Sequence, residues 1–174
     1  MRLPPENYAK AAQRFLESID ACFAHYFWET KIRPHLPDFD GKREAIIGFH
    51  NASVQATLLS LRRINDFFAN AGKRKDDLNA KDLPFLPLTS GFLDKNQKDR
   101  ISKHIAHLTR LNIFEPGYPF PYKQYLKGMI PTALGVCHAC STWGRTYDVV
   151  VAGHADECAI VCKSVLEKYA NRED

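Results

Sequence analysis

The residues best placed for chemistry are Arg100 and His107, seven positions apart in the segment DRISKHIAHLTRL. On a helix that separation leaves two side chains within about 20° of one direction and about 10 Å apart along the axis, so both can reach one phosphate. A histidine that titrates near neutrality can take the proton of a ribose 2′-hydroxyl, and a guanidinium can fork onto the charge that develops at phosphorus. The pair suits metal-free cleavage of RNA, and DNA, which lacks that hydroxyl, is spared. Lys103 and His104 share the face of Arg100 and His107, in positions that the other helices fill with apolar residues. With Arg110 they form a cationic edge for a nucleic-acid backbone. Ile101, Ile105 and Leu108 form an apolar stripe that anchors the same helix, and Ser102, Ala106 and Thr109 form a small-residue stripe.

Other candidates carry weaker chemistry. Cys137, Cys140, His154 and Cys158 form C-x2-C-x13-H-x3-C, close to the spacing of small zinc sites, with Cys162 as a fifth donor. Cys137 and Cys158 fall on the apolar stripes of their helices, however, where a reduced cysteine packs as a small hydrophobe. A domain of this length also needs no metal staple, so core packing is expected and no metal or cofactor is assigned. Arg43 and His50 repeat the seven-residue spacing, but on a helix whose in-phase stripe leads inward, so a structural His50 is expected. Asn51 and Asn65 are in phase with that stripe, and either satisfy buried polar groups or line a cleft beside Arg100.

The elements that must position these residues are helical. Apolar residues recur at spacings of three, four and seven over about 6–32 (Tyr8, Phe15, Leu16, Ile19, Phe23, Tyr26, Phe27), until Pro34 and Pro37. A second helix over about 43–70 places Ile47, Val54, Leu58, Leu61 and Phe68 inward. Pro84 and Pro87 exclude a regular helix from the following DDLNAKDLPFLPL, a stretch too long for a simple connector. Asp94 and Gln97 have the spacing of a capping box and open a third helix running to about Leu111. A fourth over about 122–141 carries Leu126, Ile130, Ala133 and Cys137 inward, with a kink expected at Pro131, and a fifth over about 148–170 carries Val151, Cys158, Val165 and Tyr169. No alternating strand pattern, internal repeat or low-complexity run is present. The expected fold is all-α, an up-and-down bundle of about five helices in a single domain over 1–174.

These features resemble the HEPN superfamily of helical bundles, many of them ribonucleases of toxin-antitoxin and abortive-infection systems. The segment DRISKHIAHLTRL is similar to that family's R-x(4 to 6)-H helix, with Arg100 and His107 in the motif positions. FHNASVQATLLSLRRINDFF looks like its preceding core helix, and KRKDDLNAKDL resembles the acidic linker of abortive-infection members. The resemblance covers about residues 44–111. It implies a homodimer whose two motif helices face each other across a composite RNA-cleaving cleft, a role in phage defence, and a possible antitoxin partner. In that reading His107 is the acid-base group, Arg100 the phosphate ligand, and Ser102, Lys103, His104, Arg110 and Asn51 contact RNA. The chain departs from the pattern at Ile101, where many active members carry a polar residue, which favours the rival reading: a noncatalytic HEPN-like module that binds RNA, a nucleotide or a protein partner.

Bulk composition agrees with this class without choosing among its functions. In 174 residues, 45% hydrophobic, there is material for one core, and no apolar run has membrane-spanning length. MRLPPENYAK lacks the apolar stretch of a secretory signal, and five cysteines is an odd number, so reduced thiols and a cytoplasmic location are expected. A net charge of +4 is compatible with phosphate contact.

Overall fold

The computed structural model describes residues 3–36, 43–69, 79–87, 90–106 and 122–170, and every regular element among them is helical. Helix α1 (Tyr8–Cys22) buries Ala12, Phe15, Leu16, Ile19 and Cys22, which recur every three or four residues. The periodicity predicts one helix as far as residue 32, but the chain breaks at Phe23, with φ −95° and ψ 4°. It continues as α2 (Ala24–Phe27), a π-helical turn (Trp28–Ile32) and a 3₁₀ turn (Arg33–His35). The changes of pitch carry the buried face from Ile19 and Phe23 on to His25 and Trp28.

Helix α3 (Arg43–Phe68) buries Leu58, Leu61, Ile64, Phe67 and Phe68. The expected stripe fails at its start, where Ile47 is 49% exposed and Phe49 is 64% exposed. The middle of α3 meets α2, where the Thr57 hydroxyl accepts the His25 backbone N–H at 3.1 Å. The proline-bearing stretch forms part of the core. Asn79 caps a 3₁₀ turn (Ala80–Asp82), and Leu83 and Leu86 are buried beyond it.

The expected capping box opens α4 (Lys95–Ala106): the Gln97 N–H donates to Asp94 Oδ1 at 2.8 Å, and the Asp94 N–H donates to Gln97 Oε1 at 2.9 Å. Residues 107–111, which the sequence reading adds to this helix, lie outside the described residues. Two features dock α4 on α3. Ile101 is completely buried, and the buried Asn65 accepts the Leu93 N–H on Oδ1 at 2.7 Å.

The long antiparallel pair is α5 (Tyr122–Tyr147) and α6 (Val149–Ala170). Helix α5 continues through Pro131 and past residue 141. A single residue, Asp148, joins the two helices, and its Oδ1 accepts the N–H groups of Val150 and Val151, both at 3.1 Å. Gly144 permits the tight approach, because a Cβ there would stand 2.6 Å from the Ala152 nitrogen. The inward residues expected on both helices are buried. One hydrophobic cluster draws on α1, α3, α4, α5 and α6. The described residues thus contain six α-helices, one of them a single turn, where periodicity suggests about five. None of these helices is long and apolar enough to cross a membrane.

Candidate functional site

Helix α4 carries the cationic edge. Arg100 is exposed while its neighbour Ile101 is completely buried, so the helix turns its arginine outward as it anchors itself. Ser102 is half-buried and already engaged. Its hydroxyl donates to the Lys98 carbonyl at 2.7 Å and accepts a hydrogen bond from the Arg62 guanidinium of α3, which also pairs with Asp66 at 3.7 Å. Lys103 and His104 fall in the last turns of α4, with side chains outside the described residues, as are His107 and Arg110 altogether. Asn51 is exposed on α3. It stands eleven residues before Arg62, about 16 Å of helix axis from the Ser102 contact. Asn65 takes the structural option, holding the start of α4.

The cysteine constellation separates into core and lock. Cys22, Cys137, Cys140, Cys158 and Cys162 are all buried free thiols. Although the Cys158 thiol pulls it down, the Cys162 thiol and burial push the Cys137 thiol well above the usual range. Burial pushes the Cys140 thiol up to about 12. The four residues of the zinc-like spacing do not converge, and the donor atoms that gather around His154 belong to Asp20 and Cys158.

His154 of α6 joins a polar array against α1. Its Nε2 lies 2.6 Å from Asp20 Oδ2 and its Nδ1 lies 2.9 Å from Gln13 Nε2, while the Cys158 thiol donates to Asp20 Oδ1 at 3.2 Å. With Gln13 donating, Nδ1 is the acceptor and Nε2–H donates to the carboxylate. Both imidazole nitrogens are therefore occupied. The Cys158 thiol is held far above the usual thiol range by its hydrogen bond with Cys137, by burial and by the Asp20 carboxylate. A thiol that keeps its proton is a poor nucleophile and a poor metal ligand. The array fastens α1 to α6.

A second cluster gathers His25 of α2, Glu29 of the π-helical turn and His50 of α3. One donor atom from each lies within 4.8 Å of the others. His25 Nδ1 is 2.9 Å from Ser53 Oγ, and that hydroxyl donates its own proton to the His50 carbonyl at 2.7 Å. Ser53 Oγ must then accept, so Nδ1 of His25 bears the hydrogen and Nε2 bears the lone pair. Burial, reinforced by the neighbouring His50, pushes the His25 imidazole down to about 4. His50 Nδ1 lies 3.2 Å from Glu29 Oε1, and Arg33 reaches the same carboxylate at 3.3 Å. The two imidazole rings meet edge to face, 4.8 Å apart. His50, expected in the core, is half-exposed at the rim of this cluster. Sequence reasoning did not single out His25 or Glu29. Their signal is the H-x3-E spacing, which puts both on one helical face.

An open apolar pocket of about 420 Å³ is lined by Pro5, Tyr8, Pro84, Phe85, Trp143 and Tyr147. Trp143 is stacked on Phe85 at 4.6 Å and on Tyr147 at 5.5 Å. No family model, curated protein sequence or solved structure matches this chain.

Proposed function

We propose that this protein is a HEPN-like up-and-down helical bundle that acts on RNA through the cationic edge of α4. The observation that carries the reading is the pairing of an exposed Arg100 with a buried Ile101, which places the arginine on the outer face of a helix anchored in the core. In the catalytic form, His107 takes the 2′-hydroxyl proton and returns a proton to the leaving 5′-oxygen. Arg100 neutralises the phosphorane, and Lys103, His104 and Arg110 hold the backbone. The active unit is a homodimer, held in check by an antitoxin protein in an abortive-infection setting.

Two observations favour the noncatalytic rival, in which the same edge binds RNA without cutting it. Ile101 supplies no polar group beside Arg100, and the Ser102 hydroxyl is engaged by Arg62 and Lys98. Cleavage of a mixed RNA pool in EDTA by wild type and His107→Ala separates the two. Products ending in 2′,3′-cyclic phosphate, made by wild type alone, are expected of the nuclease. Intact RNA with both proteins, together with salt-dependent retention on RNA that weakens in Arg100→Ala, selects the binding module. Absence of both cleavage and retention refutes the proposal.

A further inference from the structure

The His25, Glu29 and His50 cluster does no work in the reading above, yet its chemistry is organised. We propose that these three side chains form a binding site for one divalent first-row transition cation, with its remaining coordination positions open to water.

The donor set is two imidazoles and one carboxylate, which suits zinc and its neighbours rather than calcium or magnesium, whose preferred ligands are all oxygen. The donors come from three elements that the fold already holds together. His25 and Glu29 lie one helical turn apart, and His50 reaches them from α3. Metal–ligand bonds of about 2.1 Å place donors roughly 3.0–3.4 Å apart. The present separations, up to 4.8 Å, therefore close by less than about 2 Å. The Glu29 and His50 side chains are 29% and 42% exposed, so both have room to rotate.

The supporting shell is of the kind that metal sites use. A ligating histidine is normally fixed by a hydrogen bond from its other nitrogen, and Ser53, itself locked to the His50 carbonyl, accepts that bond from His25 Nδ1. Glu29 stands in a π-helical turn, a wide turn frequently found at functional sites. In the Asp20, His154 and Cys158 cluster the two imidazole nitrogens and the thiol are spent on fastening α1 to α6.

The test uses the full chain, stripped of metal and titrated with Zn²⁺ in calorimetry and with Co²⁺ in visible spectroscopy. One equivalent of each is expected to bind, with Co²⁺ d–d bands and no thiolate charge-transfer band. Ser53→Ala should weaken binding by about 10–100-fold, as loss of an outer partner does, and Glu29→Gln and His50→Gln by more. Both ligand variants lie at the rim and are expected to keep the wild-type helical circular dichroism; His154→Gln serves as the control that leaves affinity unchanged. Three results overturn the proposal: no binding by wild type, unchanged affinity in folded Glu29→Gln and His50→Gln, or binding that depends on His154 or Cys158.

Discussion

Asn65 decides whether α4 stays on the bundle, and its replacement gives a magnitude that the structure sets. The side chain is completely buried, its Oδ1 accepts the Leu93 N–H at 2.7 Å, and its Nδ2 has no partner among the described residues. In Asn65→Ala the Leu93 N–H loses its acceptor, a cost of about 1–3 kcal/mol for a buried donor, partly offset because the unpartnered Nδ2 also goes. The net expectation is about 1–2 kcal/mol of destabilisation, a fall in Tm of roughly 2–8 °C at this chain length. A second residue makes the argument sharper. A Cβ at Gly91 would stand 2.8 Å from Asn65 Oδ1 and 3.1 Å from the Ala69 Cβ, so Gly91→Ala is destabilising in wild type, by about 1–3 kcal/mol as overpacking is. Removing Asn65 relieves the closer of those contacts. The double variant should therefore be more stable than the sum of the single losses, by about 0.5 kcal/mol or more. Urea or thermal denaturation of the four proteins measures every side of this cycle. Additivity within about 0.3 kcal/mol, or an Asn65→Ala protein as stable as wild type, would refute the account of how α4 is held.

Other consequences are independent of that cycle. Gly135 and Gly153 lie within α5 and α6 with nothing among the described residues inside 4 Å of an added Cβ, so alanine at either should stabilise by about 0.5–1 kcal/mol in a thermal melt. Gly144→Ala, whose Cβ meets the Ala152 backbone at 2.6 Å, should lower Tm despite the same gain in propensity. His25 titrates near 4 in the folded chain and near 6.5 when unfolded, so the unfolded state binds the extra proton between those values. Stability contributed by the neutral imidazole is complete above about pH 6.5 and is lost progressively toward pH 4, by at most about 3 kcal/mol. Denaturation curves across that window should flatten in His25→Gln. The five cysteines should resist a thiol reagent in the native protein and react together on unfolding, and a fast-reacting native thiol would contradict their burial.

The helices were legible where one face meets the core along the whole element. Leu126, Ile130, Ala133 and Cys137 on α5, and Val151, Cys158, Val165 and Tyr169 on α6, are buried as their spacing predicts. The Asp94–Gln97 cap was legible because it is local, its two residues three positions apart. Pattern failed where a partner is incomplete or the pitch changes. Ile47 continues the stripe of α3 in sequence yet is half-exposed, and the break at Phe23 is invisible because apolar residues continue on both sides of it. Of the candidate site, Arg100 and Ser102 could be placed on a helix from spacing alone, but the engagement of Ser102 by Arg62 spans 40 residues and could not. The same limit hid the histidine clusters, since His50 lies 21 residues from Glu29 and His154 lies 134 from Asp20.

That last separation bears on how the chain is made. Asp20 stands on α1 and His154 on α6, 134 residues later, so the array that fastens the two helices cannot form until α6 has emerged from the ribosome. Until then Leu16, Ile19 and Cys22 lack part of their final cover, although α3 is already present to receive Phe15 through Phe67 and Phe68. During synthesis α1 thus carries an apolar stripe whose cover is completed only when α6 arrives to close the bundle.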